Sequence, residues 1–110
     1  MTPTTQPTRA PRLEPDARAA DILTAAVQVA RTRGYLRFTR GEVAIAAGVS
    51  PALVTHYYPS DELRAAVCRL AIEQEILQII AEAITGRCPH IESCRPELKQ
   101  EALLWFAENH

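Results

Sequence analysis

The sequence predicts an all-α fold in which a helix-turn-helix is followed by a long fourth helix and a short C-terminal helix. Three observations lead to this prediction. Apolar residues recur at intervals of three and four along most of the chain, as in helices that bury one face. Glycine, proline and hydroxyl residues divide these stretches at positions typical of helix ends. Residues 39–58 have the form of two short helices joined by a tight turn.

The first helix is expected to begin near Pro15 and Asp16, because proline suits the first turn and an acid favours the positive end of a helix. Gly34 ends it. Its predicted buried face is formed by Ile22, Ala25, Ala26, Val29 and Ala30. Residues 1–14 are rich in Thr, Pro and Arg without apolar periodicity, so they are predicted to be a disordered arm.

The second helix opens at Thr39, and Thr39 with Glu42 has the spacing of a capping box, in which each side chain satisfies an exposed backbone N–H. Ala44 is small enough to let two helix backbones approach closely. Gly48 follows four residues later and is suited to the left-handed conformation that ends a helix. These residues predict the first helix and the turn of a helix-turn-helix.

The third helix is predicted to take Ser50 as its cap and Pro51 as its first residue, and to end at Pro59. Val54 and Tyr58 supply its buried side. In a helix-turn-helix this second helix of the motif enters the major groove of DNA. The motif therefore indicates a function as well as a fold.

The fourth helix is predicted to be capped by Ser60 and to run from about residue 61 to 84, with no breaker before Gly86. A last helix is predicted from Pro96 to about Asn109. Two apolar stripes lie along the fourth helix, so it must bury more than one side. The first consists of Leu63, Val67 and Leu70, and the second of Ile72, Ile76, Ile79, Ile80 and Ala83.

The second stripe must pack against another apolar surface, and the single short C-terminal helix offers little area for this. We therefore predict a homodimer. Its dimerisation residues are predicted to be Ile72, Ile76, Ile79, Ile80 and Trp105. The alternative is a compact monomer in which the last helix folds back over the stripe.

The charge is unevenly distributed although the net charge is only −1. Residues 1–70 contain nine arginines against six acids, a net of +3, and residues 71–110 contain three basic residues against seven acids, a net of −4. A basic front half suits a chain that turns one face to phosphates. Scatter in small counts is the alternative. Arg9 and Arg12 could let the arm reach a DNA minor groove, or the arm could be a solubilising tail without contact.

The three cysteines are Cys68, Cys88 and Cys94, and Cys88, His90 and Cys94 lie close together in sequence. Structural zinc usually takes four ligands with paired spacing, so we expect free thiols rather than a metal site or a Cys88–Cys94 disulfide. No serine–histidine–aspartate, paired-carboxylate or glycine-rich phosphate-loop pattern occurs, so neither an enzyme nor a cofactor is expected. The chain has no run of about 18 apolar residues and no secretory start, so we expect a cytoplasmic protein.

Residues 21–70 resemble the DNA-binding domain of the TetR family of bacterial transcriptional repressors. The resemblance rests on DILTAAVQVARTRGY and FTRGEVAIAAGVSPALVTHYYPSDELRAAV. It divides the chain into an arm (1–14), a TetR-like helix-turn-helix DNA-binding domain (15–70) and a short helical dimerisation region (71–110). It implies a three-helix DNA-binding domain followed by the fourth and C-terminal helices.

The resemblance also implies which residues contact DNA. Thr39 and Arg40 match positions that approach phosphates or base edges, and Tyr57 matches one that holds a phosphate. The positions that it implies for the DNA interface are Thr39, Arg40, Pro51, Ala52, Leu53, Thr55, His56 and Tyr57. Pro51, Ala52 and Leu53 offer only apolar contact, so direct base readout is expected to be sparse.

The sequence departs from the family pattern in two ways. The family usually has a lysine near the start of the fourth helix that helps to hold phosphate, and here that residue is Asp61. The family also has a long helical C-terminal domain that dimerises and holds a small-molecule inducer. The residues after Ile84 are too few to wall a pocket of about 300 Å³, which counts against an inducer.

We therefore expect a sequence-specific transcriptional regulator, a repressor, that binds a palindromic operator in double-stranded DNA as a homodimer. It is expected to be cytoplasmic and associated with the nucleoid. Two alternatives remain. The chain could be a truncated family member with weak DNA binding. It could also be a protein–protein module that pairs with a full-length regulator and titrates it; Asp61 and the apolar start of the third helix favour this reading.

Overall fold

A computed structural model of the protein describes residues 15–109, with side chains from residue 17 onward. In this range there are six α-helices and one 3-10 helix and no β-strand, so the predicted all-α fold is confirmed. The helices are α1 (Pro15–Arg33), α2 (Arg40–Ala47), α3 (Pro51–Tyr57), α4 (Glu62–Gln74), α5 (Leu77–Thr85) and α6 (Pro96–Asn109), with the 3-10 helix (Pro89–Ser93) between α5 and α6. The predicted arm, with Arg9 and Arg12, lies outside the described residues.

The ends of α2 and α3 follow the local sequence as predicted. Thr39 Oγ1 accepts a hydrogen bond from the Glu42 N–H at 3.2 Å, and Glu42 Oε1 accepts one from the Thr39 N–H at 3.0 Å, which completes the capping box. Gly48 has φ +72° and ends α2 in the left-handed conformation. Ser50 Oγ accepts from the Leu53 N–H at 3.2 Å at the start of α3.

Gly41 in the first turn of α2 and Gly48 at its C-terminal cap give a matched pair of tests. Gly48→Ala should lower the free energy of unfolding by about 1–2 kcal/mol, because a β-carbon disfavours the left-handed backbone. No atom lies within 4 Å of a β-carbon built there, so the cost comes from the backbone alone. Gly41→Ala, at an exposed helical position, should raise stability by about 0.5–1 kcal/mol. Urea unfolding followed by circular dichroism measures both, and equal effects of the two substitutions would contradict this account.

The prediction of one continuous fourth helix is wrong, because the backbone breaks at Glu75 and Ile76. Glu75 has φ +55° and lies in the left-handed region, and the Ile76 N–H donates back to the Ala71 carbonyl at 2.9 Å. Arg95 Nη2 donates to Glu75 Oε2 at 2.9 Å across this turn. The break separates α4 from α5, so the two apolar stripes belong to two helices that can turn their apolar faces independently.

The start of α4 also differs from the prediction, which placed its cap at Ser60. Ser60 has φ +55° and lies in the turn before the helix. Asp61 occupies the cap position, and its side chain makes no capping hydrogen bond. The side chain of Asp61 instead pairs with His90 of the 3-10 helix.

The core of the C-terminal half is formed by α5 and α6, which fold back against each other. Ile79 and Ile80 of α5 and Leu98 and Ala102 of α6 are all 0% exposed. The prediction that Ile79 and Ile80 belong to a dimerisation surface is therefore wrong, since both are used up inside the protomer. This packing corresponds to the alternative in which the last helix folds back. The other predicted dimerisation residues, Ile72, Ile76 and Trp105, are partly exposed.

The helix-turn-helix is joined to the C-terminal half at the turn between α1 and α2. Glu82 Oε1 of α5 accepts a hydrogen bond from the Tyr35 N–H at 2.6 Å. Gly86 lies against Leu36, so closely that a β-carbon at Gly86 would come within 2.6 Å of Leu36 Cδ2. The start of α2 is thus positioned by α5 as well as by its own helix neighbours.

Candidate nucleic-acid interface

The outer face of α3 presents the residues predicted to enter the major groove. Pro51, Ala52, Thr55 and His56 are exposed, and one turn of a helix places them on the same side. Leu53 and Tyr57 are partly buried at the edges of this face. The face therefore begins with apolar side chains and ends with Thr55 and His56, which can hydrogen bond to bases or phosphates.

The inner face of α3 is fixed to the domain core. Val54 is 0% exposed and packs in the same core as Val43 and Ala44 of α2. The Tyr58 hydroxyl donates to the Ala19 carbonyl of α1 at 2.8 Å, and burial raises the pKa of Tyr58. The predicted packing roles of Val54 and Tyr58 are confirmed, although Tyr58 is only partly buried. Helix α3 is therefore held against the core with one face outward.

The Arg40 guanidinium, which is predicted to approach phosphates or base edges, makes contacts within the protein. Its Nη1 donates to the Tyr58 carbonyl at 2.5 Å, and its Nη2 donates to the Ser60 carbonyl. The guanidinium thus ties the start of α2 to the turn after α3. Both hydrogen bonds would have to break before the guanidinium could bind a base. In this conformation Arg40 therefore holds the end of α3 in position.

Thr39 is exposed, but its hydroxyl is engaged in the capping box. Besides accepting from the Glu42 N–H, Thr39 Oγ1 lies 3.3 Å from Glu42 Oε1, to which it donates. Glu42 is further held by Arg33, whose Nε lies 2.7 Å from Glu42 Oε2. The Thr39 side chain is therefore accessible to a phosphate but already partnered.

Comparison with protein-family models matches residues 22–67 to the bacterial regulatory proteins of the tetR family. This segment is a TetR-family DNA-binding domain. The match runs from Ile22 in α1 to Val67 in α4, so it covers the helix-turn-helix and part of each helix that flanks it. Comparisons with curated proteins and with solved structures find no match. In the described part of the chain, no helix is long and apolar enough to cross a membrane.

Asp61 places an acid in this TetR-family domain beside Thr39 and Arg40, two of the predicted DNA-contacting residues. A cleft of about 270 Å³ lies between the starts of α2 and α4, and it is lined by Thr39, Arg40, Ser60, Asp61 and Arg64 among others. The Asp61 side chain is 68% exposed, and its Oδ2 lies 2.7 Å from His90 Nε2. His90, which sequence reasoning considered only as a metal ligand, is therefore the partner of Asp61. The pair is separated by 29 residues, so no local pattern could predict it.

Arg64 is a residue of the TetR-family domain that sequence reasoning missed. Its guanidinium carbon lies 4.4 Å from the centre of the Phe38 ring, and its Nη2 donates to the Phe38 carbonyl at 3.0 Å. Its Nη1 donates to the Tyr35 carbonyl. Arg64 therefore fixes the turn that leads into Thr39 and α2. Its hydrogen bonds are to backbone carbonyls, which every residue has, so the residue types give no indication of this role.

The three cysteines, Cys68, Cys88 and Cys94, are free thiols in the structure. Cys88, His90 and Cys94 do not assemble a cluster, since no group of three histidine, cysteine or acidic side chains in residues 15–109 could hold a metal ion. Cys68 and Cys94 are buried and Cys88 is partly buried. Burial raises the pKa of Cys68 to about 11, and it also raises the pKa of Cys94.

Proposed function

We propose that the protein is a cytoplasmic transcriptional repressor that binds a palindromic operator as a homodimer, with α3 of each copy in the major groove. One observation carries the proposal. The TetR-family domain presents an exposed α3 face that ends in Thr55 and His56, while Val54 fixes the opposite face in the core. A helix that is packed on one side, with an exposed opposite face ending in polar side chains, fits the major groove of B-DNA.

The chemistry of this face favours shape and backbone readout over base readout. Pro51 and Ala52 can contact thymine methyl groups but cannot hydrogen bond through their side chains. Arg40 is bound to the carbonyls of Tyr58 and Ser60, so the one long cation at the start of α2 does not extend freely from the surface. We therefore expect an operator consensus with few strongly selected positions and a preference for deformable steps.

Selection of bound sequences from random double-stranded DNA tests the proposal. We expect enriched sequences with two inverted half-sites, since two copies related by a two-fold axis read the two halves. Binding to an enriched sequence should weaken steeply as salt is raised, because phosphate contacts release counterions. A folded protein that enriches no sequence, or that binds independently of salt, would refute the repressor function.

A homodimer needs an apolar surface, and the outer side of α6 provides the best candidate. Leu103 is 42% exposed and Leu104 is 60% exposed. Trp105, also in α6, is partly exposed and faces the break between α4 and α5. Trp105 shares a cleft of about 340 Å³ with Ile76 and Leu77. We propose that this side of the protomer, rather than Ile79 and Ile80, contacts the second copy.

The paired substitution Leu103→Glu and Leu104→Glu should convert the dimer into a folded monomer. Two carboxylates placed in an apolar contact would lose their hydration when the dimer forms, and this loss costs free energy. In the monomer they stay in water and cost little. Sedimentation velocity measures the change. The paired substitution Thr24→Glu and Gln28→Glu, which adds the same charge on the exposed side of α1, should leave the dimer intact. A dimer that survives the α6 substitutions would locate the interface elsewhere.

The titrating module remains the second candidate, and the exposure of Ile45 favours it. Ile45 is 83% exposed on α2 beside an apolar groove of about 420 Å³, whose walls include Val29 and Ala46. A partner regulator could bury these side chains. This function predicts a one-to-one complex with a full-length TetR-family regulator and loss of that regulator's DNA binding. The absence of such a complex, together with operator selection by this protein alone, would exclude it.

A further inference from the structure

An ion pair joins the C-terminal half of the protein to the edge of the predicted DNA interface. His90 Nε2 lies 2.7 Å from Asp61 Oδ2, within hydrogen-bonding distance. His90 belongs to the 3-10 helix that follows α5, and Asp61 lies at the cap position of α4. The side chain of His90 is 24% exposed and that of Asp61 is 68% exposed, so both are in contact with solvent. Histidine is the side chain whose charge ordinarily changes between about pH 5 and 8.

The Asp61 carboxylate lies among predicted DNA contacts. It lines the cleft of about 270 Å³ together with Thr39 and Arg40. The Arg40 guanidinium is bound to two backbone carbonyls in the turn after α3. In the part of the chain that the structure describes, the ion pair of Asp61 is with His90 and with no arginine. At contact distance, the negative charge of Asp61 is therefore offset only when His90 carries a proton.

The charged groups of the neighbouring elements do not pair with His90. The 3-10 helix packs against α4 and α5. Arg64 of α4 donates to backbone carbonyls in the turn between α1 and α2, and Glu82 of α5 accepts from a backbone N–H of the same turn. Between residues 15 and 109, no ion pair or side-chain hydrogen bond joins His90 to the other ionisable groups of these elements and their ends, which are Glu62, Cys68, Arg69, Glu73, Arg87, Cys88, Glu92 and Cys94. Protonation of His90 therefore acts first on Asp61.

We propose that His90 makes DNA binding sensitive to pH, because its protonation neutralises the Asp61 carboxylate beside the DNA and strengthens operator binding as the pH falls from 8 to 5.5. The inference rests on the proposed function, since it needs phosphates near the cleft. The ion pair itself does not depend on that function, so the two can be tested separately.

The sign of the effect follows from the charge of the pair. A histidine of ordinary pKa, about 6.5, is almost entirely neutral at pH 8, and about nine-tenths of it is protonated at pH 5.5. The pair then changes from a net charge of −1 to zero, since a carboxylate is ionised at both pH values. Loss of one negative charge beside a phosphate should raise the affinity about threefold, the effect of a single solvent-screened charge.

Comparison of the wild-type protein with His90→Gln isolates this charge. Glutamine keeps a side-chain N–H that can donate to Asp61, but it is uncharged at both pH values. His56, which is exposed on α3, and His110 are present in both proteins, so their own titration cancels in the comparison. Fluorescence anisotropy on a selected operator, at one salt concentration, gives the affinity at pH 8 and at pH 5.5. Circular dichroism at both pH values establishes that each protein is folded.

The wild-type protein should bind about threefold more tightly than His90→Gln at pH 5.5, and the two should bind equally at pH 8. The same ratio is expected when both proteins also carry His56→Gln, the matched control that removes a histidine from α3. Asp61→Asn should already bind more tightly than the wild type at pH 8, because it removes the same negative charge. Equal affinities of wild type and His90→Gln at pH 5.5, or a difference of the same size at both pH values, would overturn the proposal.

Nuclear magnetic resonance tests the pair without DNA. The side-chain carboxyl carbon of Asp61 should shift over the pH range in which the His90 ring titrates. His90→Gln should abolish this step, and His56→Gln should leave it unchanged. An Asp61 signal that does not follow His90 would overturn the proposal by showing that the pair is absent in solution. Failure of the wild-type protein to select any DNA would instead refute the repressor function and leave the resonance result standing.

Discussion

Truncation of Ile80 to alanine should lower the free energy of unfolding by about 2–5 kcal/mol, because it removes buried methylene and methyl groups and leaves a cavity. Ile80 is 0% exposed and lies in α5, the helix that packs against α6. Urea unfolding should show a loss of the same size at low and high protein concentration. Such independence is expected for a residue of the protomer core.

Leu104→Ala is the matched control, since the same kind of truncation is made at a position that is 60% exposed. In a monomer it should change stability by less than about 0.5 kcal/mol. If Leu104 lies in a dimer interface as proposed, its effect should grow with protein concentration. A small effect of Ile80→Ala, or one that depends on concentration, would mean that Ile80 contacts a second copy after all.

Replacement of Asp61 by lysine should strengthen DNA binding about tenfold at moderate salt and steepen the salt dependence by about one phosphate contact. Asp61 lies at the edge of the cleft that Thr39 and Arg40 share, at the position where the TetR-family pattern usually has lysine. A negative charge there repels phosphate, and a lysine would attract it. Fluorescence anisotropy over a salt series measures both quantities on a selected operator.

Glu108→Lys is the control for the change in net charge, because it makes the same exchange at an exposed position in the last turn of α6. It should change affinity and salt slope far less. Asp61→Asn should give an intermediate affinity. The lost pair with His90 is exposed on the Asp61 side, so the stability of the Asp61 variants should change little. Equal gains from Asp61→Lys and Glu108→Lys would mean that position 61 is remote from DNA.

Local chemistry made the helix-turn-helix predictable. The capping box of Thr39, the left-handed Gly48 and the cap of Ser50 each depend on groups within four residues, and each is present as predicted. The apolar spacing likewise identified Val54, which is 0% exposed. Such short-range interactions can be predicted from the sequence, because the residues that make them are near neighbours in the same segment.

The break at Glu75 was not predictable in the same way. Glu75 is not a residue type that favours φ +55°, and neither glycine nor proline marks the end of α4. The conformation is sustained by distant groups, among them Arg95, which binds the Glu75 carboxylate. The burial of the α5 apolar face against α6 offsets the cost of the left-handed backbone, and that gain involves residues about 20 positions away.

By itself the sequence determined the helical class, the ends of α2 and α3, and the side chains that α3 turns outward. Only the tertiary structure decided which distant residues each of these side chains contacts. It placed Ile79 and Ile80 in the protomer core, bound Arg40 to the carbonyls after α3, and paired Asp61 with His90. The reason is physical: periodicity shows that a face is apolar or that a charge is present, but its partner is set by elements that only packing brings together.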